Sequence, residues 1–545
     1  MKQLSIEKIK TEVLVIGGGA AGLTAALEAK ERGADVTIIS KSRVGKSGNT
    51  IIAGTGMAIL APDPDSKDAP EIFRNDILRS GKEINDREMI DLHVAGTRKI
   101  IDKFAQWGVV LSRRDDRYMI KHTPGHSTAR SFYTDIRNYP YLTKGLSLTL
   151  PQLRTARQRG VRIIDYAPVV ALLLSERRIA GAAAVDKKEQ KVLMFQSPAV
   201  VMAAGGGGMV YARNNNTCDV TGDSYALGYE AGAMLRDMEF VQFYPTRVSA
   251  CIKFNISNAI FGEGAFLLNA RGERFMAKYD RAGDMATRDV MTRAMFNEIA
   301  EGRGSSGNVF VDCRHLPKNV LAQKYAEFLR LLARVRIDPS RDLIPISPTT
   351  HFFMGGIAVN RRCETTVPGL LACGEAVGGL HGANRLAGNA LSETYVFGMI
   401  AGNQAALLAK AAGVPEHQGF TPEPFRRGEL SVAELRRALA LATWKCISII
   451  RDQRSIDKAV REIDDISASL DRARIESVYD LVSFYELKSM LATARLIALG
   501  AGRRKESRGA HYRSDYPHTD NSSYRGNFYL RNINGRLDVR FRPVS

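Results

Sequence analysis

TEVLVIGGGAAGLTAALEAKERGADVTIIS, residues 11–40, reads as strand, glycine turn, helix and strand in succession. TEVLVIG is an apolar run of strand length, GGAAGLTAALEAKERG has helical spacing, and ADVTIIS is a second, β-branched run. That succession is the opening βαβ unit of a dinucleotide-binding fold. Gly17, Gly19 and Gly22 fit GxGxxG at the turn. Glycine lets the backbone approach a pyrophosphate, and the helix N-terminus that starts at Ala20 and Ala21 favours its negative charge. Two later runs end in the same way, PAVVMAAGGGG at 198–208 and PGLLACGEA at 368–376. One sheet is therefore expected, with glycine-rich strand ends near residues 16, 204 and 372 converging on one long ligand. An insertion at about 240–352 interrupts it. Residues 431–500 are rich in Leu, Ala, Arg and Glu with few Gly or Pro, which predicts about three amphipathic helices. The tail from 501 is basic, aromatic and polar.

The chain has 545 residues, too many for one core. Lys and Arg exceed Asp and Glu by 77 to 58, a net charge of +19. Such an excess points to an anionic partner: an acidic substrate, an acidic partner protein, a membrane surface or nucleic acid. No basic-aromatic module accompanies the charge, so nucleic acid is not expected. The six cysteines, at 218, 251, 313, 363, 373 and 446, form no CxxC pair, and no metal site is expected from them. Spread thiols read as reduced and cytoplasmic. MKQLSIEKIK lacks the apolar core of a signal peptide. The longest apolar candidate, Ala167 to Leu174, is far short of the about 18 residues a membrane helix needs. Membrane contact is expected only through a partner.

Three further strings are as unusual as the first: HFFMGG at 351–356, HGANRLAGNALSE at 381–393 and KESRGAH at 505–511. With GGGAAG at 17–22 they resemble the flavoprotein subunits of succinate dehydrogenase and fumarate reductase, and L-aspartate oxidase. The resemblance runs from about Thr11 to about Leu530. It implies an α/β protein: a doubly wound, Rossmann-like FAD-binding domain over 1–240 and 353–412, an inserted α+β capping domain over 241–352, and a C-terminal helical domain with its tail over 413–545. The second strand ends at Ser40 and Lys41 and lacks the acidic ribose contact typical of NAD sites; the resembled family also has SK here and binds FAD. The family implies further FAD contacts at Ser47, Asn49, Thr50, Gly54, Gly56, Ala204 and Gly205. Asp223, Glu375, Asn389 and Leu391 complete that set, with Asp223 open to a second reading as a helix cap. Succinate dehydrogenases attach FAD through the histidine of an SHT string. Here the string is GNT, and the amide of Asn49 cannot form that bond, so the FAD is expected to be non-covalent.

For the substrate, the resemblance implies that His351 and Arg385 grip a carboxylate, which the guanidinium fork matches bidentately. Arg288, in MATRDVMTRA, matches the arginine that gives a proton to substrate carbon; its alternative role is an ion pair with Asp284 or Asp289. The chain departs from the family at one end of this site. In place of the TExxRGEG string of fumarate reductases it has SNAIFGEGAF, with Asn258 for the glutamate, Phe261 for the arginine and Glu263 retained. In place of QFHPT it has QFYPT, so Tyr244 replaces a histidine. These changes suggest a larger or less charged acid, with Phe261 and Tyr244 packing on an apolar substituent and Tyr244 serving as a replacement proton donor. His126 and Arg130, in HTPGHSTARSF, resemble a flavin loop and are candidate contacts, or plain loop structure.

The expected function is interconversion of a saturated and an α,β-unsaturated carboxylic acid, with electrons exchanged with an iron–sulfur or other redox partner. L-aspartate oxidase is an alternative, although that enzyme keeps the RGEG and HPT strings. A flavin-binding protein without turnover is another, opposed by Arg288, His351 and Arg385.

Overall fold

VLVI, VTII, AVVM and LLA are continuous apolar runs, the pattern of strands covered on both faces. In the computed structural model, which describes residues 4–60, 67–257, 259–413, 416 and 419–544, they form one parallel sheet. Its order is Leu370–Ala372, Ala199–Met202, Val13–Ile16, Val36–Ile39 and, at the edge, Arg162–Ile164. The first strand of the βαβ unit is therefore central, and the glycine-rich turns leave the same edge of the sheet. Helix Ala20–Glu31 packs on helix Asn389–Ala411 through a face of small residues. A Cβ at Gly402 would stand 2.3 Å from the Ala25 carbonyl oxygen, and one at Gly398 would stand 2.9 Å from Thr24 Cβ. Glycine at both places lets the two helices close up. A second sheet, of strands Ser5–Lys10, Lys191–Gln196, Arg178–Asp186 and Val169–Ser175, flanks the first and has no counterpart in the sequence reading.

The insertion builds its own antiparallel sheet in the order Val241–Val248, Ile344–Phe353, Val309–Asp312 and Phe266–Leu268. Phe254, Leu267, Met295 and Ile346 belong to a hydrophobic cluster separate from the main core. The pairing of the first two strands shifts register between Tyr244 and Arg247, where Pro245 has no N–H to give the ladder.

Three helices follow, Val432–Ile447, Gln453–Ala468 and Val478–Arg503, as the texture of 431–500 predicts. The last two start on capping boxes, Asp452 with Ser455 and Ser477 with Asp480. The tail forms a hairpin, Gly526–Ile533 with Arg536–Pro543, that extends a sheet through the Leu235–Arg236 strand.

The KESRGAH region ties these parts together. Arg504 is fully buried; its Nε is 2.7 Å from Glu239 Oε1 and its Nη1 is 3.0 Å from Glu506 Oε1. Arg508 meets the same Glu506 through two bonds of 2.8 and 2.9 Å. Arg451 Nη1 lies 2.8 Å from His511 Nδ1. A buried ion pair adds little relative to an apolar pair, but losing one partner is expensive. Arg504→Met would leave Glu239 buried without its cation and is expected to destabilise the protein by about 3–5 kcal/mol in chemical denaturation; a loss under about 1 kcal/mol would contradict this account of the tie.

Candidate active site

The glycine turns open onto a cavity of about 450 Å³ whose wall also includes His351, Phe352 and Arg385. No side chain fits at its phosphate end. A Cβ at Gly17 would stand 2.2 Å from the Ala203 carbonyl oxygen, and one at Gly22 would stand 1.9 Å from the Gly17 carbonyl oxygen. Helix Ala20–Glu31 begins at Gly19 with no side chain capping it, so its first-turn N–H groups face the cavity. Ala20 N–H reaches Thr50 Oγ1 at 3.2 Å. Helix Asn389–Ala411 also starts uncapped. The Oδ1 and Nδ2 of Asn389 are buried without a partner, which marks a polar group awaiting a ligand. Glycine turns, two bare helix starts and an orphaned amide together fit a dinucleotide.

Of the residues the sequence assigns to the cofactor, Gly17, Gly19, Ala20, Ala21, Ser40, Lys41 and Ser47 line the cavity, as do Asn49, Thr50, Gly54, Gly56, Ala204, Gly205, Asp223, Glu375 and Leu391. Gly22 and Asn389 are not among the lining residues but directly adjoin them, at Ala21 and Ala390. Asp223 is the first residue of helix Asp223–Glu230 and caps nothing; it pairs with Lys41 at 2.5 Å. Lys41 also pairs with Glu486 of the C-terminal helix at 3.1 Å, so this wall is braced from the far domain. Burial pushes Glu375 up to about 7, while the Phe353 N–H at 3.1 Å and the Asn49 amide at 3.5 Å hold it back. Asn49 is itself held: its Nδ2 donates to Asn216 Oδ1 at 2.5 Å, and its Oδ1 accepts from Thr217 N–H at 3.1 Å.

At the other end, Arg288, Tyr244, His351 and Arg385 come together from separate elements. Tyr244 and His351 lie on paired cap strands, their rings 5.4 Å apart. Arg288 opens helix Arg288–Ala300 with its guanidinium 5.1 Å from the Tyr244 ring. Arg385 lies 4.8 Å from the Phe352 ring and donates from Nε to Gln242 Oε1 at 3.1 Å. The carboxylates that sequence offers Arg288 are engaged elsewhere, Asp289 with Arg293 at 3.1 Å and Asp284 with Arg274 at 3.1 Å. Burial pushes Arg385 down to about 10, and Arg288 adds to that. Among the described residues, neither arginine forms an ion pair. Burial, then Arg385 and Arg288, hold the His351 imidazole well below its usual range, so it is neutral. Asn215 Oδ1 lies 3.1 Å from its Nδ1 and accepts from the N–H there, which leaves Nε2 as the open nitrogen. The Asn215 amide nitrogen in turn donates to Asn255 Oδ1 at 3.4 Å, which fixes this orientation. Two cations side by side, without a carboxylate partner among the described residues, make a site for a carboxylate.

Two expectations need correction. Phe261 is 5% exposed, buried in the cap core with Ile260 and Leu316, and does not line the cavity. An aromatic ring in a stretch that must cover an apolar core goes inward. Arg130 is also no ligand contact. It is fully buried, 2.6 Å from Asp68 and 2.7 Å from Asp76, and His126 Nε2 bonds the Ala387 carbonyl at 2.7 Å. His126 ties the 122–132 loop to the HGANRLAG segment, and Arg130 ties it to Asp68 and to Asp76 of helix Pro70–Ser80. Asn258 lies outside the described residues. The sequence reading missed Asn215, Asn216, Asn255 and Gln242; three consecutive asparagines in RNNNT were the available signal.

The chain matches the FAD binding domain family over residues 12–391 and the fumarate reductase flavoprotein C-terminal family over 436–545. It is 36% identical over 533 residues to an uncharacterized FAD-dependent oxidoreductase of Methanocaldococcus jannaschii, covering 96% of each chain. It is 34% identical to a CoM/CoB fumarate reductase chain of Methanothermobacter marburgensis, covering 94% of this chain and 96% of that one. Escherichia coli quinol fumarate reductase FrdA, solved in a mutant form, superposes with a TM-score of 0.88 at 28% identity, covering 99% of this chain and 97% of that one.

A carboxylate can accept from His351 Nε2 only if the imidazole gains a proton, and a carboxylate also cancels the arginine field that keeps the ring neutral. Binding a carboxylate at Nε2 therefore takes up a proton, because the free ring is held well below its usual value and is neutral. Acetate affinity for the flavin-loaded protein is expected to weaken by up to about tenfold per pH unit between about pH 6 and 8. His351→Gln should flatten that slope; a flat slope in the unmodified protein would contradict the assigned tautomer.

Proposed function

This chain belongs to the FAD-binding flavoprotein family of the fumarate reductases, an oxidoreductase family, and FAD is its cofactor; we propose that it interconverts a saturated and an α,β-unsaturated carboxylic acid. The observation that carries this reading is Arg385 and His351 in the wall of the cavity that fits the dinucleotide, with Arg288 beside them outside the lining and no carboxylate paired with either arginine among the described residues. Bound FAD supplies or accepts the hydride at one carbon of the double bond. The residues of this chain do the rest. Arg385 and His351 hold the carboxylate, and Gln242 keeps Arg385 aimed through bonds of 3.1 Å to its Nε and its carbonyl oxygen. The neighbouring carbon needs a proton. Tyr244 Oη holds one, donated at present to the Ile256 carbonyl at 3.3 Å. A phenol is a stronger acid than a guanidinium, and the Arg288 cation lies 5.1 Å from the Tyr244 ring. Tyr244 thus does in this chain what the missing histidine and relay do in the resembled enzymes.

Asn49, in place of an attaching histidine, supports a non-covalent FAD. Electrons are assigned to an iron–sulfur or other redox partner, by likeness to relatives named as one chain of a CoM/CoB fumarate reductase and as quinol fumarate reductase. Among the described residues, no helix is long and apolar enough to cross a membrane, which supports membrane contact only through such a partner.

Tyr244→Phe is expected to lower the rate of acid reduction by about 10²–10⁴-fold while FAD content is unchanged. Arg385→Met should act mainly on the concentration of acid needed. Acid precipitation should release the flavin and leave a colourless pellet. A Tyr244→Phe rate equal to that of the unmodified protein would remove Tyr244 from proton transfer and return that role to Arg288.

A further inference from the structure

Three more cations lie just outside the cavity lining, behind Asn215, Asn216 and Asn255. Arg213 comes from the FAD-binding part, Arg247 from the cap strand after Tyr244, and Lys253 from the loop that follows. Arg213 Nη1 donates to the Gly307 carbonyl at 2.6 Å. The Nε of Arg247 is buried and has no partner. Lys253 Nζ donates to Asn214 Oδ1 at 3.0 Å and to the Asn216 carbonyl at 2.9 Å. Among the described residues, no carboxylate pairs with any of the three. Arg213 adjoins Asn214, which holds Lys253, and Arg247 pairs along the backbone with Asn255, to which Asn215 donates, so the three share one patch; burial lowers each of them. Several buried arginines elsewhere are neutralised, Arg130 by Asp68 and Asp76 and Arg504 by Glu239 and Glu506, while buried Arg451 is held by carbonyl oxygens and His511. Holding like charges together in a partly desolvated place costs free energy, and an anion offsets it.

The cluster is joined to the acid-binding face by one run of sequence, Asn214–Asn216. Asn214 holds Lys253, Asn215 bridges His351 and Asn255, and Asn216 holds Asn49. Asn215, Asn216 and Asn255 line the cavity. Asn255 also bridges to Arg247 along the backbone. Lys253 Nζ is bonded to the carbonyl of the lining residue Asn216, so a molecule gripped by His351 and Arg385 that extends past Asn215 and Asn255 is directed toward these cations. The flavin phosphates do not need them, since the Ala20–Glu31 helix start lies at the Gly17 turn.

We propose that Arg213, Arg247 and Lys253 form a second anion subsite of the same cavity, so that the substrate is an unsaturated acid carrying a second, remote anionic group at its far end. This rests on the reading that Arg385 and His351 hold the reacting carboxylate.

Calorimetric titration of the flavin-loaded protein tests this with two probes. Crotonate has one carboxylate; trans,trans-muconate has the same conjugated end and a second carboxylate at the other end. Muconate is expected to bind at least about tenfold more tightly, the worth of one good charge-assisted pair. Lys253→Met, at an exposed position where folding is not at risk, should reduce that ratio to about threefold. Arg247→Met with Lys253→Met should bring it close to one. Equal affinities in the unmodified protein, or a ratio that survives the double substitution, overturn the subsite. Inorganic pyrophosphate reads the cluster without relying on the reacting end. Saturable binding that weakens at least about tenfold in the double variant supports the proposal; no binding, or binding unchanged by the substitutions, overturns it. If neither acid binds while pyrophosphate behaves as expected, the subsite stands as an anion site and the carboxylate role of Arg385 and His351 fails.

Discussion

Arg288 and Arg385 face the same imidazole and the same phenol with no carboxylate between them among the described residues, and the rest of the site is arranged around that unbalanced charge. Burial first, and that charge in addition, keep His351 neutral and push Arg385 down to about 10. Such an arrangement is costly in an empty cavity and favourable once an anion arrives. The scaffold keeps it in place by diverting the nearby acids: Asp284 is held by Arg274 and Asp289 by Arg293. Gln242 and Asn215, neutral amides, do the positioning that carboxylates do at structural arginines. An amide orients a cation or an imidazole without neutralising it.

The two ends of the cavity use different physics. At the dinucleotide end the ligands are backbone groups, so the sequence there is glycine, and a single Cβ at Gly17 or Gly22 would collide with a carbonyl oxygen. At the acid end the ligands are side chains from the cap and from the segment after the last strand of the parallel sheet. The two are coupled through Asn49, Asn216 and Glu375, a chain of bonds that leads from the GNT turn to the backbone of His351 and Phe353. The Lys41–Glu486 pair and the Arg504 cluster fasten the C-terminal helices to the same frame. The family's division into FAD part, cap and helical part thus has its seams closed by buried or half-buried ions.

Much of this was legible in the chain because it is local. The βαβ unit reads from apolar runs and glycines within residues 11–40, and three helices read from the texture of 431–500. Arg385, His351 and Arg288 were legible because strings as specific as HGANR and HFFMGG carry them. What was not legible depends on distant partners. Arg130 sits in a loop that resembles a ligand loop, and only the approach of Asp68 and Asp76 shows that it is structural. Phe261 stands where the resembled enzymes have an arginine, but the cap's core decides that it points inward. The tail's hairpin pairs with a strand at 235–236, far away in sequence. The value of RNNNT emerges only when Asn214, Asn215 and Asn216 are seen to hold three different groups.

The most direct test of the central claim compares acids with their amides. The flavin-loaded protein is reduced, and flavin reoxidation is followed by absorbance on mixing with fumarate, crotonate, cinnamate and muconate, and separately with the amide of each. The account predicts that at least one acid reoxidises the flavin rapidly and that its amide, which has the same double bond but no charge, does not. Reoxidation by acid and amide alike, or by no acid while FAD stays bound, would contradict the claim that two unpaired arginines select a carboxylate next to a carbon–carbon double bond.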